Sequence, residues 1–215
     1  MEHKFGKQYW EYSSHYTGDR PRYQQALYVR RGRREWNEFV DATGIEDYPV
    51  IAAFDMHDVI DTLTHDQSME LGVDLEHGYV PFGLMSKGKK HNDEVWDCRQ
   101  KPFIYESDFI VFTRQSCNEY NGVDVYRESN WPDNCIRISG DKGSISRLLD
   151  RPVLLFDDKE ENIDALPPRS EGLVVRRGRR FRHWADPGYT RTWDVVRWPS
   201  LVANFGRKFE RIIDP

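Results

Sequence analysis

Three apolar runs, each ending in a polar residue, constrain this 215-residue chain more than anything else in it. Val50-Ile51-Ala52-Ala53-Phe54 runs into Asp55, Phe109-Ile110-Val111-Phe112 into Thr113, and Val153-Leu154-Leu155-Phe156 into Asp157 and Asp158. Unbroken apolar runs of this length suit strands buried on both faces, the signature of a parallel sheet covered by helices. The polar residues fall at the carboxyl ends of the runs, where open parallel sheets place ligands. Lys142 stands between the second and third runs. Carboxylates, a hydroxyl and a lysine at one sheet edge make a candidate Mg2+ and phosphate site.

The segments between the runs read as helices and weaker strands. Pro21 opens a helix pattern that carries Leu27, Trp36, Phe39 and Val40 and breaks at Asp47-Tyr48-Pro49. Residues 61–102 are rich in glycine and charge without clear periodicity, and read as a small insert rather than a large cap. Cys135–Ile138 is a further, weaker strand, Gly143–Leu149 a short helix, Glu171–Val175 a strand and Trp198–Ile213 a closing helix. Strands alternating with helical connections predict a three-layer α/β sandwich around a central, mostly parallel sheet. Residues 1–48 read as an N-terminal extension and 49–215 as one α/β domain, with a basic C-terminal tail from about 176.

Charge is unevenly spread along the chain. Its net charge is −5, yet residues 51–168 hold 12 Lys and Arg against 23 Asp and Glu, and residues from 169 on hold 11 against 5. An acidic body with a basic tail implies contact between the tail and an acidic partner, a phosphorylated ligand, nucleic acid or the body itself. No apolar stretch has the length of a membrane span, and Met1-Glu2-His3-Lys4 opens no signal peptide, so an intracellular, cytoplasmic protein is expected. Three cysteines without close spacing read as thiols in a reducing compartment.

The acid-ending runs together resemble the haloacid dehalogenase-like superfamily of phosphohydrolases across about residues 50–178. The first motif of that family is matched by Asp55-Met56-His57-Asp58-Val59-Ile60-Asp61-Thr62, the second by Thr113, the third by Lys142 and the fourth by Asp157-Asp158-Lys159-Glu160-Glu161-Asn162. The resemblance implies a Rossmann-like core and a Mg2+ ion held by Asp55, His57, Asp157 and Asp158. It implies further that Asp55 attacks phosphorus to form an aspartyl-phosphate, while Thr113 and Lys142 hold the phosphate. The substrate it implies is a phosphorylated small molecule or macromolecule. The sequence departs from the family where its second motif aspartate becomes His57, and where the glycine after it becomes Asp58. Histidine can serve as acid and base near neutral pH. The alternative expectation is a catalytically altered fold acting as a binding or structural subunit, joined to partners through the aromatic N-terminal arm and the Arg-rich tail.

Other features read as ordinary. Val29-Arg30-Arg31-Gly32-Arg33-Arg34 recurs as Val175-Arg176-Arg177-Gly178-Arg179-Arg180, either by chance or as a pair of anion-binding turns. Cys117 after Ser116 reads as structural, and His65, His77 and His91 as surface residues. The cations and aromatic rings around 176–193 suit single-stranded nucleic acid, a reading that the acidic body opposes.

Overall fold

The computed structural model describes residues 22–78, 80–87, 102–114, 125–126, 131–175 and 191–213. The three apolar runs are strands β1 (Ile51–Phe54), β3 (Phe109–Arg114) and β6 (Val153–Asp157). They share one sheet with β2 (Phe82–Ser86), β4 (Val125–Tyr126), β5 (Cys135–Ser139) and β7 (Glu171–Val174), in the order β4-β5-β3-β2-β1-β6-β7. Six strands are parallel, and only the short edge strand β4 runs antiparallel, against β5.

Strand alternation divides the core into two layers. Ala52, Phe54, Leu84, Phe112, Leu154 and Phe156 face helices α2 (His65–Glu76), α3 (Pro102–Tyr105) and α6 (Arg191–Ile213), through Leu71, Leu75, Phe103, Trp198, Val202 and Phe205. Ile51, Ala53, Met85, Val111, Val153 and Leu155 face α1 (Arg22–Thr43) and α4 (Ser144–Leu149), through Trp36, Phe39, Val40, Ile145 and Leu148. This is the three-layer α/β sandwich expected from the runs. Among the described residues, no helix is long and apolar enough to cross a membrane.

Three expectations about organisation need correction. The described part of the segment 61–102 is not an insert: it supplies α2 and β2, both packed into the core, and α3 begins at its end. Nor is the whole of 1–48 an extension, because Trp36 and Phe39 of α1 are wholly buried against the sheet. The closing part of the basic tail is likewise a structural layer, since Trp198 packs on the stacked rings of Phe54 and Phe156. The aromatic arm over 1–20, Cys98, Cys117, Ser116, His91 and the Arg-rich run 176–190 lie outside the described residues. The first VRRGRR copy sits inside α1, so it forms no anion-binding turn; its echo runs into the segment outside the description.

Candidate functional site

The sheet register brings the acids together. Phe54 pairs with Phe156, so the residues that follow, Asp55 and Asp157, leave two neighbouring parallel strands at the same level. Their rings stack with centroids 4.4 Å apart, fixing that register from the opposite face of the sheet. The Asp55 backbone N–H donates to the Phe156 carbonyl at 2.8 Å, extending the pairing to the tip of β1.

Lys142 reaches the same point from a turn between β5 and α4. Gly140 holds φ at +133°, a conformation open to glycine, and Ser144 N–H closes the turn on the Asp141 carbonyl at 3.1 Å. Arg147 pairs with Asp141 and anchors the turn from α4. The Lys142 ammonium then lies 2.7 Å from Asp55 Oδ1 and 2.6 Å from Asp157 Oδ2, with its side chain wholly buried. Burial of a lysine demands such partners, because an isolated charge is too costly to strip of water.

Asp157 is fixed on its other oxygen as well. Its Oδ1 accepts from the Lys159 N–H and from the Asn162 amide of α5 (Glu160–Asp164), each at 2.9 Å. Asn162 is thus a positioning residue, legible in the sequence only as part of the fourth motif. Asp55 Oδ1 accepts from the Met56 N–H at 2.8 Å in addition to Lys142, which leaves Oδ2 without a hydrogen bond among the described residues.

Burial dominates the acidity of Asp55. Desolvation raises its pKa from 3.8 to about 6; the Lys142 cation opposes the rise and the Asp157 carboxylate adds to it. Asp158 is also raised, by partial burial and then by Asp157 beside it. One oxygen from each of Asp55, Asp157 and Asp158 lies within 4.8 Å of the others, and Asp158 Oδ1 is buried with no hydrogen-bond partner among the described residues. Three carboxylates against one ammonium leave two negative charges over. That residue set fits a hard divalent cation such as Mg2+, which takes oxygen ligands.

The remaining candidates lie elsewhere. His57 does not join the acid group: its side chain is half exposed, and Nδ1 lies 3.9 Å from Asp61 Oδ2. Asp58 occupies the left-handed backbone region at φ 62°, so the turn after Asp55 has the geometry that glycine favours, adopted here by an aspartate. Thr113 is wholly buried but is the penultimate residue of β3, and β2 intervenes between β3 and β1. Two strand spacings put that strand about 10 Å from β1. The hydroxyl on the strand bordering β1 is instead Ser86, the last residue of β2, which sequence reasoning missed. Alternation sets Thr113 on the Asp55 face of the sheet and Ser86 on the Phe54 face. Both hydroxyls are buried and have no hydrogen-bond partner among the described residues.

Comparison with family models, curated proteins and solved structures finds no match to this chain.

Proposed function

We propose that the chain is a Mg2+-dependent phosphohydrolase that acts through an aspartyl-phosphate on Asp55, as the resemblance to haloacid dehalogenase-like enzymes implies. One observation carries this reading: Lys142 bridges Asp55 and Asp157 while Asp158 completes a group of acid oxygens within 4.8 Å. A lone structural ion pair would need no third acid, and gathering two buried carboxylates and a partly buried third without a ligand works against the fold.

In this reading Asp55, Asp157 and Asp158 hold the ion, which when bound neutralises phosphate charge and polarises a phosphate oxygen. Lys142 fixes Asp55 Oδ1, so Oδ2 is the oxygen that attacks phosphorus. The P–O ester bond breaks as the new P–O bond forms, and the departing alkoxide takes a proton from His57. Water then gives a proton to His57 and attacks the same phosphorus. Inorganic phosphate leaves and the Asp55 carboxylate returns. His57 follows Asp55 by two residues on the exposed turn, and Asp61 is placed to steady its protonated ring.

A second reading, an altered fold serving as a binding subunit, draws on the same histidine, which is turned toward Asp61 rather than the acids. Phosphate release from an aryl phosphate with Mg2+ separates the two. Under the enzyme reading wild type turns over, Asp55→Asn does not, and His57→Ala slows by about 100-fold or more while phosphorylated Asp55 accumulates. Equal background rates in wild type and Asp55→Asn would leave only the second reading.

A further inference from the structure

We infer that a second ligand site lies at the amino end of the sheet, built to take a small organic anion with a flat, apolar body. A cavity of about 470 Å3 opens there, lined by Pro49 before β1, Asp150 to Pro152 before β6, Arg169 to Glu171 at the start of β7, and Lys208 and Phe209 of α6. The volume falls within the usual range for small-molecule pockets. Strand β6 separates it from the acid group by its whole length, about 15 Å.

The lining explains the ligand class. Pro49, Pro152 and the Phe209 ring supply apolar walls. Lys208 is held by Glu171, so that pair is internally neutral. The guanidinium groups of Arg151 and Arg169 have no ion pair or hydrogen bond among the described residues, and Asp150 is bonded to neither. A net positive charge therefore remains in the cavity of a protein that is acidic overall. Guanidinium matches phosphate and carboxylate geometry through paired N–H donors.

The backbone adds an independent argument. Ser170 N–H closes a turn on the Pro167 carbonyl at 3.1 Å, and Arg169, its third residue, stands at φ 77°. Glycine is the residue that fits this position without strain, and arginine has no local reason to be there. Strain held in place at a cavity mouth is the pattern expected where the side chain serves binding.

The site is independent of the reading given to Asp55, and calorimetry with 1-naphthylmethylphosphonate in EDTA tests it. Wild type and Asp55→Asn are expected to bind the probe equally, with naphthalenemethanol and inorganic phosphate each binding far more weakly. Arg151→Gln is expected to weaken binding at least fivefold. Arg169→Gly is the sharper variant: its melting temperature should hold or rise as strain is relieved, while its affinity falls at least fivefold. Wild-type affinity in Arg169→Gly would overturn the proposal. So would loss of binding in Asp55→Asn, or no binding by wild type up to about 1 mM.

Discussion

The Lys142 ammonium and the Asp157 carboxylate meet at 2.6 Å, and neither side chain is exposed to solvent. Everything else in the acid group is arranged around that pair. Replacing Lys142 by Met keeps the length of the side chain and removes the charge, leaving Asp55 and Asp157 buried beside each other. Breaking a buried pair by removing one partner typically destabilises by about 3–5 kcal/mol. Urea denaturation of Lys142→Met is expected to show a loss in that range. A loss below about 1 kcal/mol would mean that water reaches both carboxylates once the lysine is gone.

Asp55 works against the fold at neutral pH. Its folded-state pKa of about 6 lies above the ordinary 3.8, so the native state holds the proton more tightly than the unfolded chain does. The stability this contributes is complete below about pH 3.8 and is lost as pH rises through about 6. Asp55→Asn should therefore be more stable than wild type near neutral pH, by up to about 3 kcal/mol for a shift of roughly two units. The advantage should shrink toward pH 4, where wild-type Asp55 is itself largely protonated. Lys142 keeps Asp157 as a partner in the variant, so no unpaired cation offsets the gain. Identical urea midpoints near neutral pH would contradict the buried, desolvated carboxylate.

What the sequence disclosed followed from burial. Strands β1, β3 and β6 are covered on both sides, so their runs are unbroken and their ends unmistakable. Asp55, Lys142, Asp157 and Asp158 could be named because their motif order sets them at the ends of such strands or in the turn before one. Strand β2 was missed because Gly83 breaks its short apolar run and the surrounding segment is polar. Helix α2 was missed for a similar reason, although Thr64 and Gln67 form a reciprocal cap ahead of Leu71 and Leu75. Missing β2 then misplaced Thr113: with one strand fewer, β3 would have bordered β1. Strand order is a property of the whole sheet, and no local pattern around Thr113 reports it.

Divalent cation binding should carry the pH dependence of Asp55. A proton and a cation compete for its carboxylate, and Asp158, also raised by burial, competes in the same direction. Saturating Mg2+ is expected to raise the melting temperature near neutral pH, with about 2.7 kcal/mol of stabilisation at one hundred times the dissociation constant. That increment should fade as pH falls through about 6. Asp157→Asn and Asp158→Asn should each lower it at every pH. A Mg2+ response equal in wild type and Asp158→Asn would remove Asp158 from the ligand set.

Ser86 and Thr113 offer a direct comparison of two hydroxyls in the same state. Each is wholly buried and has no hydrogen-bond partner among the described residues, so removing either should leave stability unchanged or slightly improved, because an unsatisfied buried group is lost without a partner being orphaned. Their effects on phosphate chemistry should differ. A hydroxyl must come within about 3 Å of a phosphate oxygen to donate. Ser86 ends the strand that borders β1, whereas Thr113 stands a further strand away. Lateral distance is the ground for the ranking, since the reacting group would sit beyond the tips of β1 and β6, one strand from Ser86 and two from Thr113. Ser86→Ala is therefore expected to lower kcat/KM for an aryl phosphate at least tenfold, and Thr113→Val by less than about threefold; tenfold corresponds to about 1.4 kcal/mol, the scale of one hydrogen bond to a charged group. The reverse ranking, measured at matched stability, would return the phosphate contact to Thr113 and place the reacting phosphorus nearer β3 than the acid group implies.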